Sequence, residues 1–431
     1  MSAAPMPRRR PSSYDSGVGR KVVELHVWAT RQGLLGAEPE MPLDGLCRHL
    51  VAAGLPLWRA FAGMRTLHPQ WAGYTHTWWR DRDAVEPAQF ARGGAYERAV
   101  ANSAFGELNR RSETAEHAGE QWLDLRRRLS GSDAQLDFPG LGELAAAGGT
   151  DFFAELVAFG VKGDPSRGTG IGFSFATDRA DGFDDDDLVL LRAVVPIVSL
   201  AMMAHAGHTI AANLLAAYLG HDAGTRVHAG AVARGSVESI RAVLWYADIR
   251  GFTAIADGTP GAAVIEMLDE VFEALVAVLR PRGGQVLKFL GDGMLATFSI
   301  ADATDQATSR RALDAAAEAM QAIDRLNVAR RRAGKPVAAV DLALHLGDVL
   351  YGNVGAVDRL DFTVIGPAVN EAARIEALCE PLGSRVLISA EVAAAAADPA
   401  RLKPLGSHRL RGVRKPREIY ALELGPATDS G

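Results

Sequence analysis

Cysteine is almost absent from this chain: Cys47 and Cys379 are the only two in 431 residues. They stand far apart, so the sequence encodes neither a disulfide framework nor a cysteine-rich zinc cluster, and a reducing cytoplasm is the expected compartment. An excess of one charge is missing too. The formal net charge is -6 at pH 7, which gives no electrostatic reason to expect nucleic acid or an anionic membrane as a partner. Long apolar runs are also lacking. The most apolar window, AVVPIVSLAMMA from Ala193 to Ala204, is shorter than the roughly 20 residues a membrane span requires. It follows Arg192, contains Pro196 and reads as a buried core helix, so no membrane span is expected. The opening MSAAPMPRRRPSSYDSG has arginine and proline with no apolar stretch behind them. That argues against a secretory signal and for a disordered tail over 1–22.

What is present suits a soluble globular protein: 48% of residues are hydrophobic and 23% charged. The length allows two or three domains, each with a real core. After the tail, residues 23–203 mix helical and strand-like patterns. They close on an acidic run, Asp184 to Asp187, before an apolar helix, where carboxylates offset the positive end of the helix dipole. A connector over 204–239 holds helical ANLLAAYLG and then Gly220, Gly224, Gly230 and Gly235, read as breaks and turns.

From residue 240 to 426 strand and helix alternate. AVLWYADI reads as a strand and GAAVIEMLDEVFEALVAVLR as an amphipathic helix. QVLKFLGDGMLATFS reads as a hairpin turning at Gly291-Asp292-Gly293. A long helix follows over Ser309 to Ala333. AVDLALHLGDVLYGNVG reads as a strand pair, DFTVIG as a strand, AVNEAARIEALC as a helix and VLIS as a short strand. The order β-α-β-β-α-β predicts an α+β, ferredoxin-like sheet with helices on one face. The last residues, 427–431, read as a tail.

One feature of this region is odd for a core. A buried strand ends by delivering a carboxylate, Asp248, to a Gly-Phe-Thr turn, and Asp292 occupies the tip of the next hairpin. In a ferredoxin-like sheet those two elements are neighbours. Paired carboxylates at a sheet edge make an oxygen-rich site for Mg²⁺ or Mn²⁺, with phosphates as further ligands. In VNEAARIE, Asn370 and Arg374 share a helix face, and the arginine fork suits phosphate oxygens.

YADIRGFT, KFLGDGMLATF, HLGDVLYGNVG and DFTVIGPAVNEAARIEAL occur in the order and approximate spacing of the class III nucleotidyl cyclases, which this region resembles. The resemblance covers close to half the chain. It implies that Asp248 and Asp292 bind two divalent ions, Mg²⁺ or Mn²⁺. Backbone groups from Ile249 to Thr253 would add a metal ligand at Ile249 and phosphate contacts at Phe252 and Thr253. Asn370 would orient the ribose, and Arg374 would stabilise charge on the α-phosphate. Lys288 and Thr363 occupy the two base-selecting positions. Many relatives carry Asp where this chain has Thr363, and Pro367 stands where an acidic residue is common. Lys288 can only donate and suits adenine N1, while Thr363 can accept from N6, which predicts ATP over GTP. Metal-binding and transition-state residues come from different catalytic domains in the family, so a homodimer with interfacial sites is expected.

The earlier region closes on GIGFSFATDRADGFDDDDLVLLRAVVPIVSLAM, which resembles the end of a GAF-type sensory domain and implies an α/β regulatory unit for an unidentified signal. HPQWAGYTHTWWRD could line a ligand pocket; a buried strand with its loop is the simpler reading. The principal reading is an adenylate cyclase regulated by its N-terminal region. Two alternatives stand beside it: a noncatalytic nucleotide-binding or scaffolding module, and a guanylate cyclase.

Overall fold

The computed structural model describes residues 17–36, 40–112, 114, 120–159, 169–300 and 303–424. The expected tails lie outside these residues, except for 17–22. Those form the first turns of a helix, because the apolar stripe extends back through Leu25 and Val22 to Val18 at helical spacing. The chain divides into two compact units, Met1–Leu214 and Leu215–Gly431.

In the first unit, helices α1 (Gly17–Leu35) and α2 (Glu40–Ala52) precede strands β1 (Arg59–Arg65), β2 (Trp71–Trp79) and β3 (Glu86–Ala91). Then come α3 (Ala95–Ala101), α4 (Ala104–Ser112), β4 (Trp122–Arg128), α5 (Leu141–Ala146), β5 (Asp151–Phe159), β6 (Thr169–Thr177) and α6 (Asp185–Leu219). The six strands form one antiparallel sheet in the order β3-β2-β1-β6-β5-β4. One core joins the sheet to α1, α2 and α6, and a smaller one joins it to α4 and α5. The aromatic-rich stretch forms β2, with Trp78 buried and its indole N–H donating to Asp44 Oδ1 at 3.1 Å.

The apolar window that reads as a dozen-residue segment is part of the 35-residue α6. This helix is long and apolar enough to cross a membrane, and half of its most apolar window is buried within the protein. Leu188, Leu191, Val195, Val198 and Met202 recur at helical spacing in that core. Position 204, the expected start of the connector, therefore lies inside a helix. Gly220, Gly230 and Gly235 do mark breaks, each with positive φ. Gly224 does not. It sits inside α7 (His221–His228), where an added Cβ would lie 2.6 Å from the backbone nitrogen of Ala216, so its role is close approach.

The second unit continues with β7 (Val237–Ile249), α8 (Phe252–Gly258), α9 (Gly261–Leu279), β8 (Gln285–Leu290), β9 (Gly293–Ser299), α10 (Asp305–Arg332) and β10 (Val340–Gly355). It ends with β11 (Leu360–Ile365), α11 (Pro367–Glu376), β12 (Val386–Ser389), α12 (Ala390–Ala396), β13 (Leu402–His408) and β14 (Arg417–Leu422). The sheet runs β13-β14-β12-β10-β7-β9-β8, with β11 on β10. Its β10-β7-β9-β8 portion, with α9 and α10 as crossovers, is the ferredoxin-like pattern. Val243, Trp245, Ala247 and Ile249 of β7 face α9 and α10, with Trp245 fully buried 6.1 Å from Phe298, ring centre to ring centre. Removing an indole of about 200 Å² from water contributes about 5 kcal/mol at about 25 cal/mol per Å² as an upper bound.

Two details differ from the sequence reading. The opposite face of the sheet is covered as well, by α7 and α11 over Leu244, Leu295, Val349 and Phe362, because the central strands are apolar on both faces. And β10 is one strand, not a pair. It pairs with β7 from Val340 to Gly352 and with β11 from Leu350 to Gly355. Gly347 makes no turn; it leaves room for α11, since an added Cβ would lie 2.6 Å from Ala368 Cβ.

Candidate active site

Strand β7 carries Asp248 to its penultimate position, and the β8–β9 turn carries Asp292. Because β9 pairs with β7 up to Met294 opposite Ala247, the hairpin turn falls beside the end of β7. The contact is close: an added Cβ on Gly293 would lie 3.3 Å from Asp248 Oδ1. Burial, then the charge of Asp292, then hydrogen bonding with Asp292 push the Asp248 carboxyl up to about 6. The Ile249 N–H, donating to Asp248 Oδ1 at 3.0 Å, opposes the rise by favouring the charged form.

Two further acids stand near this pair. Asp341 lies opposite Asp248 in register and is buried, but Arg250 caps it through Nε and Nη2, with 2.8 Å from Nε to Oδ2. Glu376, at the end of α11, is pushed up to about 7 by burial and then by the charges of Asp248, Asp341 and Asp292, with Arg250 opposing. Glu376 belongs to the motif DFTVIGPAVNEAARIEAL, yet nothing in its spacing marks it as a neighbour of Asp248. That follows only from where α11 packs.

Helix α11 begins with Pro367 at its first turn, a position where the missing N–H costs nothing. Pro367 thus fits as a helix starter. Glu371 anchors the helix from below: it is buried, and Arg417 of β14 grips it through Nε at 2.9 Å and Nη2 at 3.0 Å. His345 lies 3.8 Å from Glu371 and 3.7 Å from Glu391, and burial lowers its pKa against the pull of both carboxylates. Asn370 is exposed and Arg374 half-buried beside Gly412, whose added Cβ would lie 3.6 Å from Arg374 Nη2. Asn370 and Arg374 share a face, whereas Glu376 lies about 200° around the helix from Arg374. The charges of the acidic pair thus act on Glu376, while Asn370 and Arg374 occupy another face of the same helix.

Phe252 and Thr253 open α8 immediately after β7, where Gly251 turns the chain at φ 67°. Lys288 reaches the strand that carries Thr363. Its ammonium donates to the Asp361 carboxylate, two residues earlier on β11 and on the same strand face as Thr363. Asp361 was missed because its alternation with Thr363 is visible in sequence but its proximity to β8 is not.

No cluster of three or more His, Cys, Asp or Glu side chains able to hold a metal exists among the described residues. Asp248 and Asp292 nonetheless fit a hard divalent cation. They supply oxygen donors only, and their mutual repulsion is what such a charge relieves.

Residues 236–424 match the family described as adenylate and guanylate cyclase catalytic domain. Adenylate cyclase 1 of Rhizobium meliloti (strain 1021) is 31% identical over 175 residues, 41% of this chain and 26% of that protein. Adenylate cyclase of Anabaena cylindrica is 32% identical over 162 residues, 37% of this chain and 31% of that protein. The aligned segments thus span about a quarter to a third of these relatives' length. Among solved structures, the guanylyl cyclase Cya2 is 25% identical, covering 45% of this chain and 97% of that one at a TM-score of 0.39. The adenylyl cyclase CyaB from P. aeruginosa is also 25% identical, covering 43% and 95% at 0.38. The C-terminal segment of this protein is therefore a class III nucleotidyl cyclase catalytic domain.

Proposed function

We propose that the protein is an adenylate cyclase that converts ATP to 3′,5′-cyclic AMP and pyrophosphate, working as a homodimer with its active sites at the subunit interface. The ribose 3′-oxygen forms a bond to the α-phosphorus, the bond from that phosphorus to the β-phosphate bridging oxygen breaks, and the hydroxyl proton is lost. Asp248 and Asp292, with the Ile249 carbonyl, would hold two divalent ions, Mg²⁺ or Mn²⁺. Such ions, when bound, supply charge that favours the ionised hydroxyl and the departing pyrophosphate. Phe252 and Thr253 contact the phosphates through their backbone. Asn370 of the second protomer orients the ribose, and Arg374 places fixed positive charge beside the α-phosphate as it becomes five-coordinate. Holding both reacting groups in one molecule leaves positioning as the protein's main task.

The observation that carries this reading is the split of the site. The charges of the acidic pair act on Glu376, while Asn370 and Arg374 lie on another face of α11, which supports a site completed by a second copy. Base choice falls to Lys288 and Thr363, with ATP preferred. The N-terminal unit serves as a GAF-like sensory module; its six-stranded antiparallel sheet between helices supports this. Cys47 and Cys379, both free and buried, support a cytoplasmic location, and the core residues of α6 support a chain without a membrane span. The test is an assay of the purified full chain with ATP or GTP and Mg²⁺ or Mn²⁺. Cyclic AMP should form, and faster than cyclic GMP; no cyclic product under any pairing would overturn the proposal.

A further inference from the structure

We infer that Asp361 is the positioning and specificity residue of the base pocket: it holds the Lys288 ammonium and supplies the acceptor that selects adenine. This rests on the adenylate cyclase reading.

The placement is specific. Strand β8 slips its register against β9 between Val286 and Lys288, a bulge that re-aims the lysine. The re-aimed ammonium meets Asp361, and no other ion pair of Lys288 is formed among the described residues. Both side chains remain partly open, at 34% and 47% exposure, and a pair so exposed contributes little to stability. Folding thus gives weak reason for the contact, while its position on the strand that carries Thr363 gives a functional one.

The donor inventory explains what Asp361 adds. Lys288 has three N–H groups, and giving one to Asp361 fixes its direction while leaving others for the base. Thr363 is ambiguous: a hydroxyl accepts from adenine N6 or, rotated, donates to guanine O6. An ionised carboxylate can only accept. With the ammonium at N1, Asp361 suits the amino group of adenine and repels the O6 of guanine seated the same way. The pocket's selectivity then belongs chiefly to Asp361, with Thr363 secondary.

The experiment measures kcat/KM for ATP and for GTP with the full chain and its Asp361→Asn, Asp361→Glu and Thr363→Ala variants. Asp361→Asn, whose amide can donate to O6, should lower the ATP-to-GTP ratio by at least tenfold. Asp361→Glu should keep most of the ratio, and Thr363→Ala should shift it less than Asp361→Asn does. A purely structural role would depress both nucleotides together. If the wild type prefers ATP and Asp361→Asn leaves the ratio unchanged, this inference is overturned alone. If the wild type turns over neither nucleotide, the adenylate cyclase reading falls and this inference with it.

Discussion

Replacing Asp292 with asparagine should make the metal-free protein more stable at alkaline pH while removing its activity. The Asp248 carboxyl rises from an ordinary 3.8 to about 6, with burial the largest single cause and the charge of Asp292 next. The whole rise corresponds to about 3 kcal/mol at about 1.4 kcal/mol per pH unit. The site is partly open to solvent, which screens the repulsion, so about 1 kcal/mol is a fair share for Asp292. The sign follows from linkage. A carboxyl with a raised folded-state pKa favours folding when protonated, and that contribution is lost as pH rises through about 6. At pH 5 Asp248 of the wild type is largely protonated, so asparagine at position 292 should give no gain or a small loss. At pH 8 Asp248 is charged, and asparagine at position 292 should gain about 1 kcal/mol, or about 2–4 °C in Tm for a unit of this size. Calorimetry with EDTA at the two pH values reads this directly. Added Mg²⁺ should then raise the Tm of the wild type more than that of the variant. A gain that is equal at both pH values, or a loss at pH 8, would refute the reasoning.

Glu376→Gln should act in the same direction, raising the EDTA-treated Tm at pH 8 but not at pH 5, because Glu376 reaches about 7 beside the same acids. Arg417→Ala should cost about 2 kcal/mol in a urea melt, by leaving the buried Glu371 uncompensated, and should lower kcat by loosening α11; adding Glu371→Gln should restore part of the stability. Trp245→Ala should cost about 3–5 kcal/mol in the same melt, less whatever is regained by removing an indole N–H that is buried without a partner.

Much of the second unit was legible because its strands and helices differ in period. The proximity of Asp248 and Asp292 was legible too, since both sit at ends of elements that a ferredoxin-like sheet makes adjacent. What escaped notice depends on packing between elements distant in sequence. Gly224 and Gly347 look like breaks, yet each is a point of backbone approach. The Gly-Asp pair in HLGDVLYG resembles a turn, but β7 on one side and β11 on the other hold β10 straight. Val18 and Val22 looked like part of a polar tail until the core of the first unit gave their stripe a partner. At the site, Lys288 was visible and Asp361 was not, because a bulge rather than a motif brings them together.

The most direct test mixes Asp248→Ala protein with Arg374→Ala protein and follows cyclic AMP. Each alone should be nearly inactive, and random exchange should restore about a quarter of wild-type activity, through one intact site in the half of dimers that are mixed. Mixed dimers demonstrated by tag capture, with activity no higher than that of either variant alone, would contradict the shared-site account.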